Sequence, residues 1–230
     1  MLPAIIPIYG KPEQVEQCLA ALKQQTTPVE PWVQDNNVNN VGFTKAINAG
    51  LRRAIRDHCR YAILLNQDCY LRPDAAERMV RFMDDHPRCG IGGARQLWAQ
   101  DPDHIIHAGC TEAFPAGKNI RGRVSAGDHS ASARVAWVNG ACMIARLDAV
   151  IEFGLMDENM ILIGSDSDWC YSARLRHWEI WYIADAVVLH DTGVSGNPSE
   201  QAATIMLQDM YYWRDKWVGS AAYNYLSTRV

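Results

Sequence analysis

The chain has 230 residues, 48% of them hydrophobic, which suits one sizeable domain or a domain with an elaborated end. Its net charge of −4 gives no basic surface that would favour nucleic acid or anionic lipid as a partner. The seven cysteines form no CxxC pair, no signal-peptide pattern precedes the first predicted strand, and no apolar run approaches the roughly 18 residues of a membrane span. These features predict a cytosolic protein with reduced thiols.

The first half of the chain alternates predicted strands with predicted helices. Three apolar runs are typical of buried strands: residues 2–9, 29–34 and 61–65. Each is followed by apolar residues at helical spacing: from Pro12, over 43–58 and over 74–86. Because strand–helix repeats of this kind form right-handed parallel crossovers, the pattern predicts an α/β fold. No G-x-G-x-x-G follows the first strand, so the dinucleotide-binding fingerprint is absent.

The second half is less regular. Further strands are predicted at residues 89–93, 136–138, 180–183 and 186–189. A helix is predicted over 147–153, with Gly154 as its C-terminal stop, and Ser165 to Asp168 precede another that runs to about residue 177. Residues 111–134 are rich in Gly, Ala, Ser and Arg with little periodicity, which predicts a long loop. Loops of this length often serve as functional lids.

The last stretch predicts a long helix that Pro198 opens. Met206, Met210, Trp213 and Trp217 recur at three- and four-residue spacing and therefore share one face. The simpler interpretation is that this face packs on the domain itself. The alternative is a contact with a second copy of the chain or with a membrane surface, made by the aromatic side chains.

Polar side chains directly follow two of the predicted strands. Asp35 ends the second strand, and Asn66, Gln67 and Asp68 end the third. In an open α/β sheet, ligands bind outside the carboxyl ends of the strands. A carboxylate there can hold a hard divalent cation, and that cation can hold a diphosphate. The competing interpretation is that Asn66 and Asp68 only cap the turn into the next helix.

A second acidic cluster lies at the helix that begins near Ser165. Ser and Asp are favoured N-caps, and acidic side chains suit the positive end of a helix, but Asp166 and Asp168 together exceed what capping requires. A carboxylate at this position can face a pocket as a general base. Residues two apart on a helix start do not share a face, so if one of the pair enters a cleft, the other is turned away or reaches it at a different depth. His190, at a strand end, is interpreted by itself as structural, with a metal or phosphate ligand as the alternative.

Several short segments occur in a fixed order along the chain. They are Ile6-Pro-Ile-Tyr9, Val33-Gln-Asp-Asn-Asn37, Asn40 to Leu51, Leu65-Asn-Gln-Asp68, Trp137-Val-Asn-Gly-Ala141, Gly154-Leu-Met-Asp-Glu158, Gly164 to Trp169 and Ala184-Asp-Ala-Val-Val-Leu-His190. No segment is specific alone. As an ordered set they span nearly the whole chain, and this set resembles the family 2 glycosyltransferases of the GT-A fold, which include many bacterial rhamnosyltransferases.

The resemblance implies a Rossmann-like, mostly parallel sheet flanked by helices, with a C-terminal helix. It implies a single domain over residues 1–230, made of a nucleotide-binding half (1–95), an acceptor-binding and catalytic half (96–197) and the C-terminal helix (198–230). The implied activity is a single displacement that moves a sugar from a nucleotide-diphosphate sugar to a hydroxyl acceptor and inverts the anomeric configuration.

The resemblance also implies roles for individual residues. Asp166 would accept the proton of the acceptor hydroxyl, and Asp68 with His190 would bind Mg²⁺ or Mn²⁺. Donor contacts are implied for Pro7, Tyr9, Asp35, Asn37, Asn48, Asn66 and Gln67, with Asp35 on the nucleobase. Acceptor contacts are implied for Asn139, Gly140, Asp168 and Trp169. The implied partners are a nucleotide-sugar donor and a saccharide or glycoconjugate acceptor.

The chain departs from the family pattern near the implied base and metal. Ser165 stands where the family usually has glutamate, and Asn66-Gln-Asp68 offers one carboxylate where other members have two. These departures favour a non-catalytic nucleotide-sugar-binding module as one alternative. A nucleotidyltransferase is another, although it would usually carry a Gly-rich basic loop where this chain has Gly10-Lys-Pro. The expected location is the cytoplasm, with the inner face of the membrane and a homodimer as further expectations.

Overall fold

A computed structural model describes residues 1–111, 118–192 and 199–227. Its first half consists of β1 (Pro3–Ile8), α1 (Pro12–Lys23), β2 (Glu30–Asp35), α2 (Phe43–Arg56), β3 (Tyr61–Leu65), β4 (Cys69–Leu71) and α3 (Ala75–Asp85). The predicted alternation of strands and helices is confirmed, and the predicted ends of these strands and of the second and third helices lie within two residues of those observed. The short strand β4 was not predicted.

The second half adds the remaining strands and helices. They are β5 (Cys89–Trp98), β6 (Asp101–His107), β7 (Gly122–Arg123), β8 (Ala133–Arg134), β9 (Cys142–Arg146), α4 (Leu147–Phe153), α5 (Ser165–Leu175), β10 (Glu179–His190), α6 (Glu200–Trp217) and α7 (Ala221–Ser227). The predicted helix over 147–153 is confirmed. Gly154 follows it with a φ of 93°, a left-handed conformation that glycine adopts without steric cost.

The described strands form one sheet with the central order β2-β1-β3-β9-β5-β10-β4. β1 runs parallel to β2 and β3, β5 runs parallel to β10, and β9 lies antiparallel between β3 and β5. The strands β1, β2, β3, β5 and β10 therefore all end at the same edge of the sheet. β9 begins at that edge, where Cys142 pairs with Leu65. We call it the carboxyl edge.

The prediction of a strand at 136–138 is wrong. Trp137 makes an isolated bridge to Cys110, and the strand that follows begins only at Cys142. The intervening residues 139–141 turn across the carboxyl edge and so cannot continue a strand.

Three further features of the second half differ from prediction. The strands predicted at 180–183 and 186–189 are the single strand β10, whose register shifts between Ile183 and Val187. The predicted loop at 111–134 contains β7 and β8, which pair with β6 and β10, while residues 112–117 lie outside the described part of the chain. β6 was missed because it opens with Asp-Pro-Asp, residue types that usually mark turns.

Helices cover both faces of the sheet, so the central strand β3 is buried on both sides. Leu64 belongs to a hydrophobic cluster shared with α2 and α5, and Ile63 belongs to one shared with α1 and α3. α2 approaches β1 closely at Gly50, where an added Cβ would lie 2.4 Å from Cγ2 of Ile5. This packing fixes the directions in which the strand ends present their polar residues.

The helix α6 packs on the domain through its predicted aromatic face. Trp213 and Trp217 are buried, and both rings lie against Tyr171 of α5. Asp209, also buried, accepts hydrogen bonds of 2.7–3.0 Å from the backbone N–H groups of residues 161–163. The interpretation of this face as a packing surface is confirmed, while Pro198 lies outside the described residues. None of the described helices is long and apolar enough to cross a membrane.

Asp209→Ala should destabilise the protein because three backbone N–H groups would lose their acceptor. Hydrogen bonds to charged groups contribute about 1.5–3 kcal/mol each, and partial rehydration offsets part of the loss, so we expect the free energy of unfolding to fall by roughly 3 kcal/mol in urea denaturation. Asp215→Ala is the control, since this carboxylate of the same helix is exposed beside Arg214. Equal unfolding midpoints for the two variants would contradict the anchoring role of Asp209.

Candidate active site

The ends of β1, β2 and β3 are joined by side-chain hydrogen bonds at the carboxyl edge. Oε1 of Gln67 accepts the backbone N–H of Tyr9 at 2.7 Å, and its Nε2 donates to the carbonyls of Tyr9 and Gly10. Oδ1 of Asn37 accepts the N–H of Gly10 at 2.7 Å, and Asp35 accepts two hydrogen bonds from Asn37 at 2.8 Å. The structure thus brings four residues of the predicted donor site together, with Asp35 and Tyr9 exposed.

The remaining predicted donor residues differ in their surroundings. Pro7 is half-buried near the end of β1, and the backbone N–H of Asn66 donates to the carbonyl of Ala141 at 2.9 Å. Asn48 lies elsewhere: it is 1% exposed, and its amide is bonded to the backbone of Met156 at 2.8 and 3.1 Å. A buried amide with both ends engaged has no surface for a nucleotide, so the structure gives the predicted donor contact of Asn48 no support.

Asp68 and His190, the predicted metal ligands, face each other. Oδ2 of Asp68 lies 3.5 Å from Nε2 of His190, and both side chains are largely buried. The antiparallel pairing of β4 with β10 sets His190 opposite Cys69, so the ligand atoms of the three side chains lie within 4.8 Å of one another. Burial raises the pKa of the Cys69 thiol well above its ordinary value, and thiol sulfur is a softer ligand than Mg²⁺ or Mn²⁺ prefers.

A carboxylate and an imidazole fit a divalent cation such as Mn²⁺ or Mg²⁺. Both ions accept carboxylate oxygen, imidazole suits transition ions, and Mg²⁺ commonly completes its shell with water and phosphate oxygens. The donor set at Asp68 and His190 therefore matches the predicted metal, with the remaining positions left to a diphosphate and water. The carbonyl of Asp68 also accepts the N–H of Asp191 at 2.8 Å, which ties the end of β3 to the end of β10.

Asp166 lies in the first turn of α5, beside the turn at 139–141. Its Oδ2 accepts the backbone N–H of Gly140 at 3.0 Å, and its Oδ1 accepts that of Ser167 at 2.8 Å. The side chain is half-buried. Burial raises the pKa of this carboxyl above its ordinary value, although the N–H donors act in the opposite direction. Such a carboxylate binds a proton more readily than an exposed one does, which suits a general base.

Asp168 points away from Asp166 into the protein. It is 2% exposed, and its Oδ1 accepts hydrogen bonds from Nε1 of Trp217 and Nζ of Lys216, both at 2.7 Å. Burial alone would lower the pKa of the Lys216 ammonium, but Asp168 and Asp157 raise it overall, so the lysine stays charged. Asp168 therefore joins α5 to α6, in agreement with the expectation that the two aspartates diverge.

Trp169 is fully buried, and its indole N–H donates to the carbonyl of Gly154 at 2.8 Å. Neither it nor Asp168 offers surface to an acceptor, so the acceptor contacts predicted for these two residues find no support in their placement. Asn139 and Gly140 do lie at the carboxyl edge, and Gly140 contacts Asp166 directly.

Two polar residues at this edge, Gln96 and His107, were not singled out in the sequence. Both are buried, and both bond to Asn139. Gln96 is a buried polar residue of β5, between Arg95 and the apolar Leu97, and a polar residue inside a buried strand is the signal that could have identified it. His107 ends β6, a strand that the sequence did not predict, so its position could not be placed.

Residues 5–210 match the sequence model of a family described as "Glycosyltransferase like family 2". The chain belongs to this family. The match includes the carboxyl-edge residues from Tyr9 to His190, and it confirms the resemblance drawn from the ordered motifs.

Two curated glycosyltransferases are similar to part of this family 2 chain. Glucomannan 4-beta-mannosyltransferase 2 of Arabidopsis thaliana is 24% identical over 151 residues, which cover 65% of this chain and 27% of that protein. The amylovoran biosynthesis glycosyltransferase AmsE of Erwinia amylovora is 28% identical over 123 residues, covering 41% of this chain and 44% of that protein. The matches thus span less than half the length of each relative.

Among solved structures, GalNAc-T7 with UDP, GalNAc and Mn²⁺ has a similar fold. The TM-score is 0.69 at 11% identity, covering 98% of this family 2 chain and 49% of that chain. The likeness shows the fold, and it confirms the predicted α/β sheet of the GT-A type.

Lys216→Met should destabilise the protein because it leaves the buried Asp168 carboxylate without its ammonium partner. We expect the free energy of unfolding to fall by about 1–3 kcal/mol near neutral pH, the usual cost of an uncompensated buried polar group. The loss should shrink in acid, since a protonated Asp168 needs no cation. Arg214→Met is the control, because Arg214 pairs with the exposed Asp215 on the same helix. A loss in urea denaturation that does not vary with pH would contradict the pairing.

Proposed function

We propose that this family 2 glycosyltransferase moves a sugar from a nucleoside-diphosphate sugar to a hydroxyl of a saccharide or glycoconjugate, with inversion at the anomeric carbon. The observation that carries the proposal is the turn at 139–141. It bonds to Asp166 through the N–H of Gly140 and to the end of β3 through the carbonyl of Ala141. A half-buried carboxylate and the Asp68–His190 pair are thereby held at one edge of the sheet, as a donor diphosphate and an attacking hydroxyl would require.

The donor nucleotide would lie over the ends of β1 and β2. Asp35 is exposed there and would accept hydrogen bonds from the nucleobase, while Tyr9 offers an exposed ring beside it. Gln67 and Asn37 would act mainly by holding the backbone at Tyr9 and Gly10 in place. Preformed loops of this kind lower the ordering cost of binding.

The donor diphosphate would bind near Asp68 and His190, which we propose as ligands of Mn²⁺ or Mg²⁺. The support is their mutual distance of 3.5 Å and the presence of Mn²⁺ with UDP in the structure of GalNAc-T7. When bound, such a cation neutralises charge that develops on a leaving diphosphate. Both side chains are largely buried, which would limit the access of competing water to the diphosphate.

Asp166 would act as the general base. As the acceptor oxygen forms its bond to the anomeric carbon, the bond from that carbon to the diphosphate oxygen breaks, and the hydroxyl proton moves to the Asp166 carboxylate. Each carboxylate oxygen keeps a lone pair beyond the one that accepts an N–H, so the proton has an available site. The N–H donors fix the orientation of the carboxylate, and Asn139 and Gly140 would line the acceptor side.

Membership of the family argues against the nucleotidyltransferase alternative. A non-catalytic nucleotide-sugar-binding module is distinguished from an enzyme by turnover. The deciding experiment incubates the protein with a panel of UDP-, GDP- and dTDP-sugars, with and without Mn²⁺, and measures nucleotide release and transfer to saccharide acceptors. Binding of one donor without release or transfer would favour the non-catalytic module. A peripheral membrane contact and a homodimer stay predictions, which liposome sedimentation and light scattering test.

Asp68→Ala should abolish the Mn²⁺-dependent part of donor binding because it removes the carboxylate of the proposed cation site. Isothermal titration of the nucleotide found in the panel, with Mn²⁺ and with EDTA, should show a Mn²⁺ effect in the parent protein and none in the variant. Asp74→Ala, which removes an exposed carboxylate paired with Arg78, should behave like the parent. A variant that keeps the full Mn²⁺ effect would remove Asp68 from the site.

Asp166→Asn should lower kcat by about 10²–10⁴-fold, the usual contribution of a positioned general base, and leave donor affinity nearly unchanged. The pH profile gives a second readout. The base must be deprotonated, so kcat of the parent should fall as the pH drops through a pKa that burial holds above the ordinary carboxyl range. The residual activity of Asp166→Asn should lack this acidic limb. If Asp168→Asn loses kcat and Asp166→Asn does not, Asp168 is the base.

A further inference from the structure

A chain of hydrogen-bonded polar groups, which starts at the surface and becomes buried, runs behind the proposed cation site. It begins at Asn119 and continues through His107, Asn139 and Gln96 to His190, whose ring faces Asp68. Gln96 is fully buried, and His107 is 1% exposed. Because buried polar groups are costly unless paired, the donors and acceptors along such a chain constrain one another.

The far end of this chain has a defined direction. The backbone N–H of Asn139 donates to Nε2 of His107 at 3.2 Å, so Nε2 carries a lone pair. Burial lowers the pKa of His107 to about 4, so its ring is neutral near pH 7 and holds its proton on Nδ1. That proton is donated to Oδ1 of Asn119 at 2.8 Å.

The two amides in the middle are paired in both directions. Nε2 of Gln96 donates to Oδ1 of Asn139 at 2.5 Å, and Nδ2 of Asn139 donates back to Oε1 of Gln96 at 3.3 Å. Oδ1 of Asn139 also accepts the backbone N–H of Ala141 at 3.3 Å. Because a backbone N–H can only donate, it identifies this end of Asn139 as the oxygen. The orientation of the Gln96 amide follows from it.

Oε1 of Gln96 therefore faces His190, 3.1 Å from Nδ1 of the ring. An oxygen in this position requires a proton on Nδ1. In the neutral ring, Nε2 then presents a lone pair toward Oδ2 of Asp68 at 3.5 Å. Two acceptors that face each other at this distance repel unless a proton or a metal cation lies between them.

We propose that Gln96 is a positioning residue that holds His190 in the Nδ1-protonated tautomer and so presents Nε2 to the divalent cation. The inference rests on the proposed function, since it needs the cation site at Asp68 and His190. It goes beyond the proposed function because it says that Gln96, on the neighbouring strand β5, determines the tautomer of His190. Partners behind a metal-binding histidine commonly fix its ring and tautomer in this way.

The test combines a spectroscopic readout on the unaltered protein with Mn²⁺ binding by three variants. Long-range ¹⁵N–¹H spectra of the metal-free protein near pH 8 should show His190 with a protonated Nδ1 and an unprotonated Nε2. Gln96→Leu removes the acceptor for Nδ1 and should weaken Mn²⁺ binding, measured by electron paramagnetic resonance, by about 10–100-fold. Gln96→Glu keeps an oxygen facing Nδ1 and should stay within a few-fold of the parent.

Gln25→Leu is the matched control. The Gln25 amide bonds to backbone groups of Leu71, Arg72 and Ala76, away from the proposed cation site, so its loss should lower stability without changing Mn²⁺ affinity. This comparison separates a general loss of stability from an effect on the histidine.

The possible outcomes distinguish the proposed role of Gln96 from the proposed cation site. An Nε2-protonated His190, or an imidazolium paired with Asp68, would overturn the inference even if Gln96→Leu does not fold. Unchanged Mn²⁺ affinity in a folded Gln96→Leu would also overturn it. Absence of Mn²⁺ binding by the parent protein, with its activity intact, would instead overturn the proposed cation site. Loss of affinity in Gln96→Leu with recovery in Gln96→Glu supports the proposal.

Discussion

The hydrogen bond from the backbone N–H of Gly140 to Asp166, 3.0 Å long, depends on a turn that has very little freedom. The Asn139 side chain is held by Gln96 on one side, and the carbonyl of Ala141 accepts the N–H of Asn66 on the other. The turn leads directly into β9, which is fixed between β3 and β5 by antiparallel pairing. The sheet therefore fixes the position of the Asp166 carboxylate at the start of α5, because the turn that binds it is held by strands.

The same turn fixes the position of Asp166 relative to the residues that follow β1, β2 and β3. The proposed donor residues follow β1, β2 and β3, whereas Asp166 and His190 come from α5 and β10, far along the chain. Parallel strands deliver their ends to one edge regardless of sequence distance, and β9 crosses back through the middle. Chemistry that needs a diphosphate and a hydroxyl at one carbon tolerates little error in position, so a rigid shared edge is a suitable support.

Sequence reasoning succeeded where the signal was local. The apolar runs at β1, β2 and β3 and the helices between them were predicted because strand burial and helical spacing repeat within a few residues. The ends of the apolar runs likewise placed Asp35 at the end of a strand and Asp68 after one, and the helical pattern placed Asp166 at the start of a helix. The divergence of Asp166 from Asp168 also followed from helix geometry alone.

Sequence reasoning failed for residues whose hydrogen-bond partners are distant in the sequence. Gln96 pairs with a residue 43 positions away, and Asp168 is enclosed by Trp217, 49 positions away, so no periodicity announces either contact. Asn48 belongs to one of the ordered motifs, but its side-chain amide bonds to the backbone of Met156, 108 positions away. β6 escaped because its first residues have turn chemistry, which outweighed a short apolar stretch.

The packing of α6 against α5 affects the order in which parts of the protein can fold. The strands β1 to β4 and the helices α1 and α2 contact one another within the first 71 residues, so they can assemble early during synthesis. The surroundings of Asp168 and of residues 161–163 need Asp209, Lys216 and Trp217, which leave the ribosome well after those elements. The half of the site that would hold the nucleotide therefore forms on contacts made early in the chain, and the half that would remove the proton matures only after α6 has been synthesised.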